Sequence, residues 1–598
     1  MNETIGIIPR AFRRRGVWVA CTLLLRAGLN FLGLAMLLPV LALVLDPGSL
    51  EGGGVLTRAY EGLGFASQRT FALAVCAAVV GVIVLKCLLG LWLARVERTY
   101  IYDLYRTLSR RLLVTYHDRG LPFVKASNSA VLARNVNVVC LAFAAGVLKP
   151  AAAIAAEAML LVLLFGALMW YTPLAALLAL AVFLPSIWLY YGLVRNRINR
   201  YGELENKAQR EKARLVAETF RGYADIEINN AFPMMLRQFD RAMDQVIRTR
   251  LRETAIGLLP QTFTEVGLAV GMALLVALSL GDGDGRAQML FGVFAVAALR
   301  LMPSVRNIMT GWTAIKYNRY TIGILRDAAA DCPPAPANPD CRDTPAATVA
   351  PGNPGNPGKP GNPGNPAADT ASSPEKLPFR HEIAVRDLRF RFADGGRELF
   401  HGLSLTIRKG ERIGIRGASG AGKTTLFNLL LGLYEPSGGE IAIDGTPLTA
   451  ANRRAWQNRI GYVSQNLFIA DGSFAANVAL GIPAGEVDRE RVMQALRAAQ
   501  LGELVTGLAK GIDTHVGECG CRLSGGQRQR IGIARALYRQ ADVLFFDEAT
   551  SALDSRTEEE INRSIAGLAA RDAGLTLVVI AHRESSLEYC NRIITIGE

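Results

Sequence analysis

Residues 417–424 read G-A-S-G-A-G-K-T and fit the phosphate-loop pattern G-x-x-x-x-G-K-[ST]. The apolar run 413–415 precedes the motif, and Leu426, Leu429 and Leu430 follow at helical spacing. Strand, glycine turn and helix is the context the pattern needs. The glycines let the backbone curl until successive N–H groups point at phosphate oxygens. The helix start adds partial positive charge. Gly417, Ala418, Ser419, Gly420, Ala421, Gly422 and Thr425 then belong to the cradle of a nucleotide. Lys423 reaches the β- and γ-phosphates, and Thr424 is a Mg²⁺ ligand.

Downstream, residues 541–548 read A-D-V-L-F-F-D-E, a buried-strand pattern ending in two carboxylates. With a phosphate loop upstream, Asp547 is expected to hold Mg²⁺ through water and Glu548 to act as general base on the attacking water. The competing reading is a strand that merely ends in surface acids. His582 closes another apolar run, 577–581, and is the candidate sensor of the γ-phosphate.

Residues 523–527 read L-S-G-G-Q and continue into the basic helical segment R-Q-R-I-G-I-A-R-A-L-Y. From here the chain resembles an ATP-binding cassette (ABC) protein over about 388–597, and L-S-G-G-Q is that family's signature. The resemblance implies two cassettes facing head to tail, each ATP lying between one phosphate loop and the partner's signature. Ser524, Gly525, Gly526 and Gln527 open a helix, so N–H groups there suit a γ-phosphate. A homodimer follows as the expected partner state. The resemblance also places Gln465, in G-Y-V-S-Q-N, on Mg²⁺ and the attacking water. It places 551–554 (S-A-L-D) at the dimer interface, Phe392 on the adenine ring, and Glu518 of T-H-V-G-E-C-G toward the transmembrane part. Alternation along the strand sends Phe390 inward and leaves Phe392 for stacking.

The cassette occupies well under half of a 598-residue chain whose mean hydropathy is positive. Apolar stretches recur near 17–45, 71–93, 136–170, 173–193, 256–280 and 288–309, each long enough to cross a bilayer. The expected fold is a membrane α-helical bundle of six transmembrane helices of ABC exporter type plus a cytoplasmic α/β P-loop ATPase domain. Its boundaries are 1–327 for the transmembrane domain, 328–376 for a linker and 377–598 for the ABC nucleotide-binding domain. Several apolar helical patterns exceed the bilayer and are expected to continue into the cytoplasm.

Charge sets the orientation. Arg10, Arg13, Arg14 and Arg15 precede the first span, and the second-to-third and fourth-to-fifth connections are long and basic. The other connections are poor in Lys and Arg, which puts both termini in the cytoplasm of a bacterial inner (cell) membrane. The first span reads as an anchor rather than a cleaved signal. The net charge of +14 is accounted for by this bias, not by a nucleic-acid surface. The turns of the long excursions fall at 122–134 and 222–232, where the resemblance implies short helices that dock on the cassettes. Their plain alternative is a helical hairpin turn.

Residues 352–366 hold five G-x-P triplets, too few for a collagen helix, and read as an extended disordered tether. Cys519 and Cys521 form C-x-C, two ligands short of a structural zinc site. Cys332 and Cys341 sit in the tether, where a cytoplasmic setting keeps thiols reduced. The last strand pattern ends near Glu598, short of the further strand and helix the resemblance leads one to expect.

The cargo must be read from the helical half. Residues 297–319 resemble the end of the sixth helix in bacterial flippases for lipid-linked oligosaccharides. Arg300, Arg26, Lys86 and Lys149 lie in or beside spans, where charge is costly, and are candidates for an anionic head group; Glu157 and Glu265 are candidate partners for these bases. Snorkelling or pairing between helices is the bland alternative for each. Residues 55–63 carry apolar side chains at helical spacing, suited to an outer-surface helix or to packing on a span. The reading is an ATP-driven exporter or flippase of an amphiphilic lipid. Its alternatives are a multidrug or peptide exporter and, from another class, an ATP-gated channel or sensor.

Overall fold

The computed structural model describes residues 6–35, 62, 68–171, 173–279, 286–330, 376–392, 398–548, 555–571, 574–581, 587–588 and 590–597. The chain divides into two compact units, one helical and one α/β. The outer-surface stretch 55–63 (except Gly62), the tether core 331–375, residues 551–554 and His582 lie outside the described residues.

The helical unit is built from α1 (Arg10–Ala35), α2 (Gln68–Asp118), α3 (Gly120–Ala126), α4 (Ser129–Arg134), α5 (Lys149–Tyr171), α6 (Pro173–Arg221), α7 (Tyr223–Ile228), α8 (Phe232–Ser279), α9 (Arg286–Tyr317) and α10 (Tyr320–Ala330). The helix α2 has 51 residues and α6 has 49. At ~1.5 Å per residue these are more than twice the ~30 Å hydrocarbon core, so each extends well beyond a bilayer. The stretches Leu73–Asp118 and Ser129–Trp170 contain windows of mean hydropathy 2.6 and 2.3. Trp18 on α1, Leu91 on α2 and Trp188 on α6 are exposed, while Leu104 on α2 and Tyr190 and Ile198 on α6 are fully buried. An apolar face left outside the protein core is what lipid contact requires.

Between α4 and α5 the helix widens into π-turns at Asn135–Val139 and Ala144–Leu148. Close packing further along depends on glycine. A Cβ on Gly202 of α6 would stand 1.9 Å from the Tyr317 carbonyl oxygen of α9, so no larger residue fits. Helix α10 ends at Ala330, three residues into the stretch expected as tether. Both expected turns hold short helices, α3 and α4 in the first and α7 in the second. Asn128 caps α4, its Oδ1 accepting the Ala130 N–H at 2.9 Å. Around α7 the side chains of Phe220, Tyr223, Ile228 and Phe232 are exposed.

The charges inside the spans pair differently from expectation. Arg26 donates to Glu97 across α1 and α2 at 2.8 Å, the pairing between helices that was the plain alternative for this base. Glu157 accepts from Ser304 at 2.7 Å and Asn307 at 2.9 Å on α9, and Glu265 accepts from Gln261 one turn away at 2.9 Å. Neither acid pairs with Arg26: Glu97 on the adjoining helix satisfies it locally. Lys86 is half-buried and Lys149 exposed; the Arg300 side chain lies outside the described residues.

The α/β unit contains β1 (Glu382–Phe390), β2 (Phe400–Arg408), β3 (Arg412–Gly417), α11 (Lys423–Leu430), β4 (Gly438–Ile443), β5 (Thr446–Pro447), β6 (Ile460–Val463), α12 (Gly525–Tyr538), β7 (Val543–Asp547), α13 (Ser555–Arg571), β8 (Thr576–Ile580) and β9 (Arg592–Ile596). An antiparallel sheet runs β2-β1-β4-β5 and a parallel sheet runs β6-β7-β8-β3-β9. All five residues of β7 are buried, as a continuous apolar run in a two-sided parallel sheet demands. The phosphate loop leaves the C-terminal end of β3, the end at which open parallel sheets bind ligands.

Asp444 ties the start of β1 to the turn after β4. Its carboxylate accepts the backbone N–H groups of His381 at 2.8 Å, Glu382 at 2.9 Å and Arg380. Partial burial pulls its pKa up, but the three N–H groups outweigh it and hold the carboxyl below the usual range. A depressed folded-state pKa contributes stability that is present above the unfolded value and is lost as pH falls through the folded one. We expect Asp444→Ala to lower cassette stability by about 1–3 kcal/mol at neutral pH, with the gap to wild type closing in acid. Urea melts at the two pH values check this; an equal gap in acid would refute it.

Candidate functional site

Gly422 precedes α11 at φ +94°, in the left-handed region that glycine tolerates. A Cβ there would also meet Leu399 Cδ2 at 2.8 Å and Phe400 Cζ at 3.0 Å. Conformation and space both require glycine at the point where the loop turns into the helix. Lys423 is buried, and its ammonium group donates to the Gly417 and Ala418 carbonyls at 2.8 and 3.0 Å, spanning the loop. The next residue, Thr424, directs Oγ1 to Asp547 Oδ1 at 3.4 Å. Residues read from motifs separated by more than a hundred positions thus meet at the ends of β3 and β7.

Beyond Asp547 the chain turns sharply. Glu548 has φ +49°, unusual for a residue with a side chain, and its N–H is held by the Ile580 carbonyl at 3.0 Å. Such backbone persists where neighbours over-determine it, typically at functional sites. Gln465 Nε2 donates to Glu548 Oε2 at 2.7 Å. Tyr462 on β6 is pushed well above the ordinary phenol pKa, first by burial and then by the Asp547 charge. It therefore stays a neutral wall beside the carboxylates. Thr424 Oγ1, the Asp547 carboxylate and the Gln465 amide oxygen are hard oxygen donors of the kind Mg²⁺ prefers, so the donor set fits that ion.

Three rings form the nucleobase candidate. Phe390 is buried and stacks on Tyr434, centroids 5.5 Å apart at 7°. Phe392 is 44% exposed and stands edge-on to both, at 5.0 and 6.2 Å. As alternation along the strand predicts, Phe390 turns in and Phe392 offers an open face. Tyr434 escapes sequence reasoning because it lies beyond the end of α11, far along the chain from Phe390, and belongs to none of the motifs that mark the site.

Ser524 is the N-cap of α12. Its Oγ accepts the Gln527 N–H at 3.2 Å, and the Gln527 side chain accepts the Ser524 N–H at 2.9 Å. This reciprocal capping box occupies Gln527 on both sides. It fixes the turn that presents the Gly525 and Gly526 N–H groups at the start of the helix, where donors suit an anion. Arg528 Nη1 braces the same turn by donating to the Leu523 carbonyl at 3.0 Å. Arg535 on α12 donates to the Asn477 and Phe468 carbonyls at 2.8 and 3.0 Å, linking the signature helix to the segment after Gln465. No short sequence pattern announces that link.

A phosphate cradle, an acid-ended strand beside it and a glycine-opened capped helix define a nucleotide-hydrolysing cassette. The sequence profile of the ABC transporter family matches residues 400–551. The ATP-dependent lipid A-core flippase of Burkholderia pseudomallei (strain 1710b) is 30% identical over 549 residues, which cover 90% of this chain and 84% of that protein. The ATP-dependent lipid A-core flippase of Ralstonia nicotianae is 31% identical over 438 residues, covering 72% and 67%. A bacterial Atm1-family ABC exporter with ATP bound shares the fold with a TM-score of 0.73 at 22% identity, over 98% of this chain and 94% of that one. The chain belongs to the ABC transporter family. It is an exporter with its multi-pass membrane half and its ATPase cassette on one polypeptide.

Proposed function

We propose that two copies of this chain form a bacterial inner-membrane flippase that moves a lipid-linked oligosaccharide, or a related amphiphilic lipid with an anionic head, from the inner to the outer leaflet. The observation that carries this reading is the reach of the similarity to lipid A-core flippases. It covers 90% of the chain, and so runs through the helical half where cargo is chosen, not only through the cassette. In this reading residues 1–327 form the transmembrane domain, 328–376 the linker and 377–598 the cassette, with both termini cytoplasmic. Phe392 stacks on adenine. The 417–425 loop and the N–H groups of Gly525 and Gly526 from the partner copy enclose the phosphates. Thr424, Asp547 and Gln465 would hold Mg²⁺, which screens phosphate charge. Glu548 polarises the attacking water, and His582 contacts the γ-phosphate. The exposed apolar side chains around α7 suit docking on a cassette, so closure there is transmitted to the helices.

Reconstitution in liposomes with a labelled lipid-linked glycan tests the reading. ATP-dependent translocation that vanishes in Glu548→Gln supports it. ATPase activity without lipid movement would shift the assignment to drug or peptide export, and ATP-dependent ion leak would shift it to a channel.

The nucleobase contact has its own test. Base-on-aromatic stacking is worth about 1–3 kcal/mol, so Phe392→Ala should weaken ATP binding by about five- to a hundredfold, while Phe392→Tyr stays near wild type. Calorimetric titration of ATP into each variant checks this; unchanged affinity in Phe392→Ala would remove the residue from the site.

A further inference from the structure

Two helices of the membrane half carry the same short pattern, an aromatic residue followed four positions later by a base: Tyr191 and Arg195 on α6, Trp312 and Lys316 on α9. Residues four apart share a helix face. The Tyr191 and Trp312 rings meet edge to face, centroids 4.4 Å apart at 76°. Lys316 Nζ stands 5.6 Å from the Trp312 centroid. Arg319 follows Lys316 just past the end of α9, its backbone N–H donating to the Lys316 carbonyl at 3.3 Å, and Arg195 lies one turn beyond Tyr191 on α6. Among the described residues, none of these three bases forms an ion pair with a carboxylate. The aromatic wall is fixed from behind, because Tyr190 is hydrogen-bonded to Thr313 and packs on Phe263.

Three like charges gathered without a counter-charge repel one another and are relieved by an anion. On the proposed topology α6 and α9 both run toward the cytoplasm. The rings then lie at the membrane boundary and the bases one turn deeper, where Trp and Tyr sit at head-group level and Lys and Arg face an anionic leaflet. We propose that Arg195, Lys316 and Arg319, backed by Trp312 and Tyr191, dock the phosphate of an anionic lipid head group at the inner-leaflet face, ahead of translocation. This site is separate from Arg300, Arg26 and Lys86. It rests on the proposed topology and deepens the flippase reading by giving the head group a place to wait.

Trp312 reports on its own neighbours. Full-length protein is reconstituted in phosphatidylcholine vesicles doped with phosphatidic acid brominated high on the acyl chain, or with brominated phosphatidylcholine, and Trp312→Phe supplies the background fluorescence. Brominated phosphatidic acid should quench Trp312 at a far lower mole fraction than brominated phosphatidylcholine. Each base is worth about a fivefold change in partitioning, so K316Q/R319Q should raise the half-quenching mole fraction about thirtyfold. K316R/R319K should retain it. Arg197→Gln, two positions along α6 and so on another face, should change little, which separates a site from diffuse surface charge. Equal quenching by both lipids, or no response to K316Q/R319Q, overturns the proposal. Displacement by low concentrations of inorganic pyrophosphate makes the occupant a soluble phosphate and overturns the lipid assignment. The quench needs no ATP, whereas glycan translocation does, so either reading can fail while the other stands.

Discussion

Glu548→Gln is expected to lower ATP turnover by ~10²–10⁴-fold, the range that a positioned general base supplies, while ATP binding stays within about threefold of wild type. The substitution is isosteric and leaves the strand β7, which ends one residue earlier at Asp547, undisturbed. What it removes is the proton acceptor. The carboxylate is held by the Gln465 amide at 2.7 Å and by a backbone whose N–H is anchored on β8, so its orientation is set before any water arrives. Gln465→Ala should then cost less than Glu548→Gln, because it loosens the base without deleting it. The double variant should cost scarcely more than Glu548→Gln alone, since the two side chains act as a unit. Steady-state phosphate release measured beside equilibrium ATP binding separates these effects. Turnover in Glu548→Gln within about twofold of wild type would show that another group takes the proton.

The cassette was legible in the sequence because its chemistry is tied to local backbone geometry. A loop that must curl needs glycine at Gly422, and a strand buried on both faces must read as the unbroken run of β7. Such constraints act within a few residues and leave a fixed pattern. The spans were legible for a related reason: a bilayer imposes length and apolarity on every crossing. What escaped were pairings between distant elements whose partners are interchangeable. Arg26 needed some carboxylate, and nothing local marks Glu97 over Glu157 or Glu265 as the one within reach. The π-turns before α5 escaped as well, since no residue type demands them. Gln527 was legible as part of a signature, but its work in the capping box follows from a rotamer that only the folded turn fixes. The cargo is the least legible feature for the same reason. The proposed head-group site draws on side chains from more than one helix, and each of those bases is locally indistinguishable from one that snorkels.

The proposed sharing of each pocket between two copies makes the second large prediction, which concerns where two defects sit rather than what they are. Lys423→Ala removes the charge on the phosphate loop, and Gly526→Asp puts a carboxylate where the N–H groups opening α12 should meet a phosphate. In a tandem fusion of two copies, both defects can be placed on one copy or one on each. If each pocket joins one copy's loop to the other's signature, defects on different copies ruin the same pocket and leave the second intact. Defects on one copy ruin both, because that copy spoils its own loop and its partner's signature contact. A pocket contained within a single cassette predicts the opposite, since the undamaged copy would keep a complete site. Nucleotide occlusion is a better readout than turnover, because the two sites can depend on each other for cycling. With Glu548→Gln added to both copies to stop hydrolysis, the divided arrangement should retain one tightly held ATP per fusion and the same-copy arrangement none. Like charge facing the γ-phosphate costs several kcal/mol in a desolvated pocket, and truncating the buried Lys423 leaves phosphate charge unmet, so the lost sites should fall in affinity by ~100-fold or more. Occlusion surviving in the same-copy arrangement would mean that the capped start of α12 serves its own phosphate loop, and the dimer would then be dispensable for binding ATP.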